Sequence, residues 1–370
     1  MKKILFLIPN LAHGGAERVL VNLANNLDQT KFDVTIQTLF DVGVNRQYLQ
    51  PHVHYIPGAK WHFRGNTTLM KLFSPETLYK HIIHGHYDIL VSYLEGPTSR
   101  IISGCHEPDV KKIAWIHIEL PTPKQAAIGF RNPAEAEKLY NSFDKLVAVA
   151  ESVKNIFQKS LSVNVPIDVL YNTNETEKIK MLSTEPIDDP EFDADGIKIC
   201  SVAKLVITKG FDRLLRVHKR LIDEGLRHTI FLLGIGEERE KLEAEAKKLG
   251  VSDSFRFLGF RDNPYKYVKN CDFYICSSRR EGFSTAVTES LIVGTPVVST
   301  DCSGARELLG ENNEYGIVVP NDEEGIYSGM KRMLTESGLL ESYREKAALR
   351  GENFSREETV RAVERMLDTI

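Results

Sequence analysis

The chain has 370 residues, 42% apolar and 26% charged, with a formal net charge of −4. That length exceeds what one ordinary core holds, so two domains are expected, and the mild acidity argues against nucleic acid as a partner. Five cysteines (Cys105, Cys200, Cys271, Cys276 and Cys302) include no CxxC pair and read as reduced core thiols of a cytoplasmic protein. No stretch approaches the roughly 18 uninterrupted apolar residues of a membrane span.

The opening run Ile4-Leu5-Phe6-Leu7-Ile8 follows Met1-Lys2-Lys3 and imitates a signal peptide, but it stops at Pro9-Asn10. It is too short for an h-region and reads as a first buried strand. Further short apolar runs predict strands near 34–39, 89–93, 113–116, 146–149 and 167–171. A second series falls near 197–202, 229–233, 254–258, 273–276, 296–298 and 316–319. Helical patterns fit between them, the clearest over 16–27, where Val19, Leu20, Leu23 and Ala24 recur at helical spacing. Others fall near 211–224, 238–248, 284–293, 305–309 and 322–334, and an amphipathic stretch closes the chain at 356–368. Alternating strands and helices predict an α/β protein with parallel sheets. Residues 183–196 are acid-rich, carry Pro186 and Pro190, and break every period, so they read as a connector. The expectation is two doubly wound, Rossmann-like domains, 1–172 and 197–352, joined through 173–196.

Several clusters carry chemistry. The turn Asn10-Leu11-Ala12-His13-Gly14-Gly15-Ala16-Glu17 would let a ligand approach the backbone at a helix N-terminus, or is simply a Gly-Gly turn. Between Lys60 and Tyr87 the only acid is Glu76. There Lys60, Arg64, Lys71 and Lys80 interleave with Trp61, Phe63, Leu69, Met70, Leu72 and Phe73, which suits peripheral contact with an anionic inner membrane leaflet or a basic loop over the domain's own core. His117 ends the strand near 113–116 and either lines a reaction centre or serves as a structural hydrogen-bonding residue. Asp193-Ala194-Asp195 imitates a metal-binding DxD, but it sits in the connector. The pairs His52/His54 and His84/His86 lack further ligands, so no metal site is expected.

Lys204 and Lys209 flank a strand-to-helix junction and suit phosphate oxygens, although surface lysines are commonly only solvated. Glu281 follows the apolar run at 273–276, and Glu289 is expected roughly two turns inside the next helix. Along that helix the stretch from Ser284 to Glu289 advances roughly 7–8 Å, enough for two acceptors to hold hydroxyls on two rings of one ligand. Two solvated glutamates are the bland alternative. Neither half carries a GxGxxG followed by an acid at the required distance, which disfavours a nicotinamide dehydrogenase.

The order of these features resembles the large retaining glycosyltransferase family 4, of GT-B fold. Gly14-Gly15-Ala16-Glu17, Lys204-Leu205 with Thr208-Lys209-Gly210-Phe211-Asp212, and Ser278-Arg279-Arg280-Glu281-Gly282-Phe283 through Glu289, the E-x7-E element, continuing into Gly294-Thr295-Pro296-Val297-Val298, carry the match. The resemblance implies two domains facing a central cleft, with the segment 353–370 crossing back onto the first, acceptor-binding domain. It implies that Glu281 and the backbone of Gly282, Phe283, Ser284 and Thr285 face the donor sugar. Glu289 would hold the ribose, and Lys204 and Lys209 would meet the diphosphate. Gly14 and Gly15 would pack on the phosphates, His117 would lie near the transferred sugar, and Gly259, Phe260 and Arg261 would surround the base through main-chain contacts. Ala203-Lys204 stands where the family more often has Gly-Arg, and Tyr171-Asn172-Thr173-Asn174 replaces the usual hinge block.

The implied activity is a metal-independent, cofactor-free, retaining transfer of a hexose-type sugar from a nucleoside diphosphate donor, UDP foremost. The acceptor would be a lipid-linked or polysaccharide hydroxyl, the setting surface-glycan synthesis, and the location cytoplasmic or peripheral at the membrane. A sugar-nucleotide epimerase or phosphorolytic enzyme on the same fold, or a non-catalytic partner subunit, are the rivals.

Overall fold

A computed structural model describes residues 1–12, 14–60 and 66–370. The chain divides into two compact units, Met1–Thr173 with Glu357–Ile370, and Asn174–Arg356.

Among its described residues the first unit holds seven strands: β1 (Lys2–Ile8), β2 (Phe32–Thr38), β3 (His54–Ile56), β4 (Ile89–Ser92), β5 (Lys111–Ile116), β6 (Lys145–Ala148) and β7 (Ile167–Val169). They lie in the order β3-β2-β1-β4-β5-β6-β7, and every neighbouring pair is parallel. A parallel sheet covered on both faces needs continuous apolar strands, and residues Ile4 to Ile8 of β1 are fully buried. The short edge strand β3 was not foreseen. Its three residues are exposed or half-buried, so it lacks the apolar run that marks the others. The helix Gly15–Asn26 buries Val19, Leu20, Leu23 and Ala24, the stripe its spacing predicts. The closing helix Arg356–Thr369 buries Val360, Val363, Met366 and Leu367. It is tied to this unit by Lys2 Nζ donating to Leu367 O at 2.7 Å and Asp28 N donating to Glu364 Oε1 at 2.8 Å.

The second unit holds six: β8 (Ile197–Val202), β9 (His228–Leu233), β10 (Phe255–Gly259), β11 (Phe273–Cys276), β12 (Val297–Thr300) and β13 (Ile317–Val319). Their order, β10-β9-β8-β11-β12-β13, is again wholly parallel. A core of Ile199, Leu214, Ile230, Phe273, Val298 and Met330 runs through the sheet and its helices. The helix Leu339–Gly351 was missed from sequence because its buried stripe, Tyr343, Ala347 and Gly351, contains two small residues with little hydrophobic signal. A Cβ on Gly351 would stand 2.3 Å from the Leu291 carbonyl oxygen, so glycine is what lets this helix close on Thr285–Ile292.

Most of the segment read as a connector, 174–196, folds as part of the second unit. Thr176–Ser183 is a helix, Pro190–Phe192 a 3₁₀ turn, and both belong to the second unit. Phe192 is buried against Phe231 and Tyr267, with ring centroids at 4.5 and 5.2 Å. One aromatic anchor outweighs the disorder-like composition around it. Among the described residues no helix is long and apolar enough to cross a membrane. Trp61, Phe63 and Arg64 of the basic and aromatic segment, and His13 of the first turn, lie outside the described residues.

Candidate active site

In each sheet the strand order reverses once, between β1 and β4 and between β8 and β11. Chain segments leaving adjacent strands at such a point diverge and leave a crevice beyond their carboxyl ends, where α/β proteins bind ligands. In the second unit the two segments are the ones carrying Lys204 and Lys209, after β8, and Ser277 to Glu289, after β11.

These segments meet. Lys209 Nζ donates to Glu281 Oε1 at 2.5 Å across 72 residues of sequence. Ser278 Oγ donates to the same oxygen at 2.6 Å, and Ser277 Oγ donates to Lys209 O at 2.9 Å. The side chains are 24% exposed for Lys209 and 12% for Glu281, so the pair is shielded yet reachable. Burial alone depresses the lysine pKa, but the Glu281 charge and hydrogen bond outweigh it and raise the net value. Lys209 is therefore a firmly charged ammonium.

The junction is held from behind. Gly210 has φ +69° and caps the helix Phe211–Asp223. A Cβ there would lie 2.1 Å from the Ser277 carbonyl oxygen, so the lysine-bearing turn can press on the β11 exit only as glycine. Arg213, buried one turn into that helix, donates Nη2 to Ser277 O at 2.8 Å, Ser278 O at 3.0 Å and Asn321 Oδ1 at 2.6 Å. Arg279 grips Asp212 through two bonds of 2.7 and 2.8 Å. Burial would raise the Asp212 pKa, but Arg279 and then Arg216 pull it down to about 2. Arg213 was not singled out from sequence, and Ser278 and Arg279 entered only as part of the resembling motif, with no role of their own. Their signal is faint: small polar residues just after an apolar strand, and an arginine on an otherwise apolar helix face.

Glu289 lies in the helix Thr285–Ile292, capped by Ser284, whose Oγ accepts from Val287 N at 3.4 Å. It stands just over one turn from the start rather than two, because Gly282 to Ser284 remain outside the helix. Tyr265 Oη donates to Glu289 Oε1 at 3.4 Å. The Phe283 ring is buried edge-on against Phe354 at 6.2 Å, which leaves its main chain as the part available to a ligand.

Other predicted positions are less engaged. Lys204 is exposed and forms no ion pair among the described residues, although its loop is pinned by Leu205 N donating to Ile235 O at 2.9 Å. Arg261 spends its guanidinium on Asp189 Oδ2 at 2.9 Å and Glu191 Oε2 at 2.8 Å. Gly259 has φ +71°, and Phe260 is 49% exposed.

In the first unit, Gly14 precedes the helix Gly15–Asn26 with extended dihedrals, and Gly15 is exposed at its start. His117 follows β5 and is buried, its Nε2 without a hydrogen-bond partner among the described residues. Its backbone N donates to Glu95 Oε2 at 2.9 Å, and its ring leans on Tyr93 at 4.7 Å. Burial lowers its pKa to about 3, so the imidazole is neutral at physiological pH. His54 faces Asp33 at 3.3 Å and His86 faces Glu107 at 3.6 Å. Among the described residues no group of three or more His, Cys, Asp or Glu side chains could hold a metal ion.

Two family models match the chain: "Glycosyltransferase Family 4" over residues 13–178 and "Glycosyl transferases group 1" over 184–350. The chain is 28% identical to the N-acetylgalactosamine-N,N'-diacetylbacillosaminyl-diphospho-undecaprenol 4-alpha-N-acetylgalactosaminyltransferase of Campylobacter jejuni, the alignment covering 96% of each. Among solved structures it superposes on Anabaena Alr3699/HepE in complex with UDP and glucose with a TM-score of 0.79, at 19% identity over 100% of both chains. Sucrose-phosphate synthase from Thermosynechococcus elongatus gives a TM-score of 0.80 at 14% identity, over 100% of this chain and 98% of that one. At these identities the two structural likenesses are ones of fold.

Proposed function

Because the chain belongs to the glycosyl transferases group 1 family and is a glycosyltransferase of GT-B fold, we propose that it moves a hexose-type sugar, with retention of configuration, from a UDP-sugar to a hydroxyl on a lipid-linked or polysaccharide acceptor. The observation that carries this reading is the Lys209–Glu281 contact at the β8/β11 reversal. A fixed ammonium there meets the charge that builds on a departing diphosphate, and the contact is strongest when that charge is greatest. In this proposal Lys204 supplies a second, mobile cation and the compensation needs no metal ion. Glu289, about a turn along the helix, takes the ribose hydroxyls. Glu281 and the main chain of Gly282, Phe283, Ser284 and Thr285 take the sugar. Gly259, Phe260 and Arg261 contribute main chain beside the base. Gly14 and Gly15 offer backbone N–H groups to phosphate.

The reaction breaks the bond from the sugar C1 to the diphosphate oxygen and forms one from C1 to the acceptor oxygen. The acceptor proton passes to the leaving phosphate oxygen on the same face, so no separate base is required. UDP is favoured by the nucleotide held in Alr3699/HepE. A lipid diphosphate acceptor is favoured by the Campylobacter relative, whose name specifies an α linkage and a diphospho-undecaprenol carrier.

Thermal melts with UDP, GDP and ADP come first. The correct nucleotide at 100 times its Kd should stabilise by about 2.7 kcal/mol. UDP release that requires an acceptor supports transfer. Donor consumed with no acceptor present would instead indicate epimerase or phosphorolytic chemistry, and the absence of both binding and turnover would leave a non-catalytic subunit.

A further inference from the structure

The first unit displays an apolar cluster that its own core does not use. Leu69, Leu72, Phe73 and Ile128 are 50, 75, 53 and 53% exposed. They are held out by a polar clamp built on one buried arginine and one exposed one. Arg100, only 1% exposed, donates Nη1 to Met70 O at 3.0 Å and Nη2 to Phe73 O at 2.7 Å. Arg131 donates Nε to Lys71 O at 2.7 Å and Nη2 to Phe73 O at 3.2 Å. Glu135 joins the two arginines, its Oε1 accepting from the Arg100 guanidinium Nη2 at 3.1 Å and its Oε2 from the Arg131 backbone N at 2.5 Å. Carbonyls 70 to 73 are thus turned inward and fixed, while the Leu72 and Phe73 side chains face outward. Ile128 lies on the loop that carries Arg131. Fixing a turn so firmly in order to expose leucine and phenylalanine opposes the usual burial of such residues.

The charge around this cluster identifies its partner. Lys71 and Arg131 belong to the turn and its clamp, and Lys124 is exposed on the short helix Pro123–Ala126 that precedes Ile128. Of its acids, Glu135 is matched by the two arginines and Glu76 sits 3.2 Å from His106, while Lys71 and Lys124 form no ion pair among the described residues. The patch is therefore cationic on a chain whose net charge is −4. The helix bearing Arg100, Pro97–Ile102, begins just beyond the carboxyl end of β4, so the clamp is anchored at the sheet edge from which His117 also projects. Apolar side chains ringed by cations match the interface of an anionic bilayer, with acyl chains for the leucines and phenylalanine and headgroup phosphates for the lysines.

We propose that the platform of Leu69, Leu72, Phe73 and Ile128, rimmed by Lys71, Lys124 and Arg131, docks the chain on an anionic membrane surface. This rests on the reading that the acceptor is lipid-linked, since the platform would bring the acceptor edge of the first sheet to where such a lipid resides.

The test is co-sedimentation of the full chain with phosphatidylcholine vesicles, with and without phosphatidylglycerol. Binding should require phosphatidylglycerol and weaken with salt. L72S/F73S should bind about tenfold or more weakly, and K71A/K124A should lose about fivefold per charge. All four positions avoid the core, so the melting temperature should not move. The proposal is overturned if wild type ignores anionic vesicles, if it binds both kinds equally, or if L72S/F73S binds undiminished. It is also overturned if wild type is a dimer without vesicles and L72S/F73S a monomer, because the patch would then join two copies. Failure of sugar transfer with vesicle binding intact removes the functional reading and leaves the docking surface; transfer to soluble acceptors without vesicle binding does the reverse.

Discussion

Replacing Lys209 by alanine separates two consequences of the same contact. Structurally, the Glu281 carboxylate, 12% exposed, keeps the Ser278 hydroxyl at 2.6 Å but loses its counter-ion at 2.5 Å. Breaking a fully buried pair costs about 3–5 kcal/mol. With Lys209 24% exposed, solvent screening lowers the expected loss to ~1–3 kcal/mol, or roughly 3–10 °C in the melting temperature of a unit this size. Catalytically, a preorganised donor aimed at developing charge contributes ~10²-fold or more in kcat. The double variant K209A/E281Q removes the stranded charge and should regain much of the lost melting temperature without regaining kcat. Melting curves and saturating-donor turnover on wild type, both single variants and the double variant close the cycle. A kcat that recovers in step with the melting temperature would refute the argument, since the lysine would then matter only as a structural partner. The raised pKa of Lys209 makes its contribution complete below its unfolded value of 10.5 and lost only as pH rises through the higher folded value. The comparison is therefore insensitive to pH near neutrality.

Glu289→Ala should raise the donor KM with little change in kcat, and an unchanged KM would remove the ribose assignment. Gly210→Ala adds a Cβ 2.1 Å from Ser277 O at φ +69°, so nucleotide binding and the second unit's melting temperature should both fall; wild-type behaviour would mean the turn does not pack as described. Burial lowers the pKa of His117 and His218 to about 3, and that of His228 also downward, from 6.5. The unfolded chain then binds protons that the folded chain refuses, so stability should fall as pH drops below 6.5, by up to about 1.4 kcal/mol per pH unit for each histidine. Denaturant titrations at several acidic pH values would contradict this if the midpoint stayed flat down to pH 5.

Elements built on uninterrupted apolar runs, such as β1 and β11, were legible because a doubly covered parallel strand has few other sequences open to it. Glu281 and Glu289 were legible as a spacing, and Lys209 as a cation beside a glycine. Their meeting was not, since 72 residues separate Lys209 from Glu281 and only the strand order makes β8 and β11 neighbours. The residues that aim the pair left still less trace. Arg213 and Ser277 act through main-chain carbonyls at a strand end, and such bonds impose neither a period nor a partner residue type. The acid-rich segment misled for a related reason. Asp189 reads as a linker acid, yet it accepts from Arg261 Nη2 at 2.9 Å and Tyr267 Oη at 2.8 Å, and its pKa is held below the usual range by those partners in spite of burial.

The same ordering explains why the two ends of the proposed donor site differ in character. At the phosphate end, Lys209 is immobilised through Ser277, Glu281 and the Gly210 turn, while Lys204 is left exposed on a loop. A fixed cation loses little entropy when charge appears beside it, whereas a mobile one must be ordered first. The fixed lysine is therefore the better source of rate and the mobile one of donor capture. Arginine stands more often at the position of Lys204 in the resembling family, and its planar fork would recover part of that ordering cost through bidentate contact. Lys204→Arg is accordingly expected to tighten donor binding several-fold and leave kcat nearly unchanged, as read from the donor KM. A large change in kcat would show that the exposed lysine, and not the buried pair, meets the leaving group.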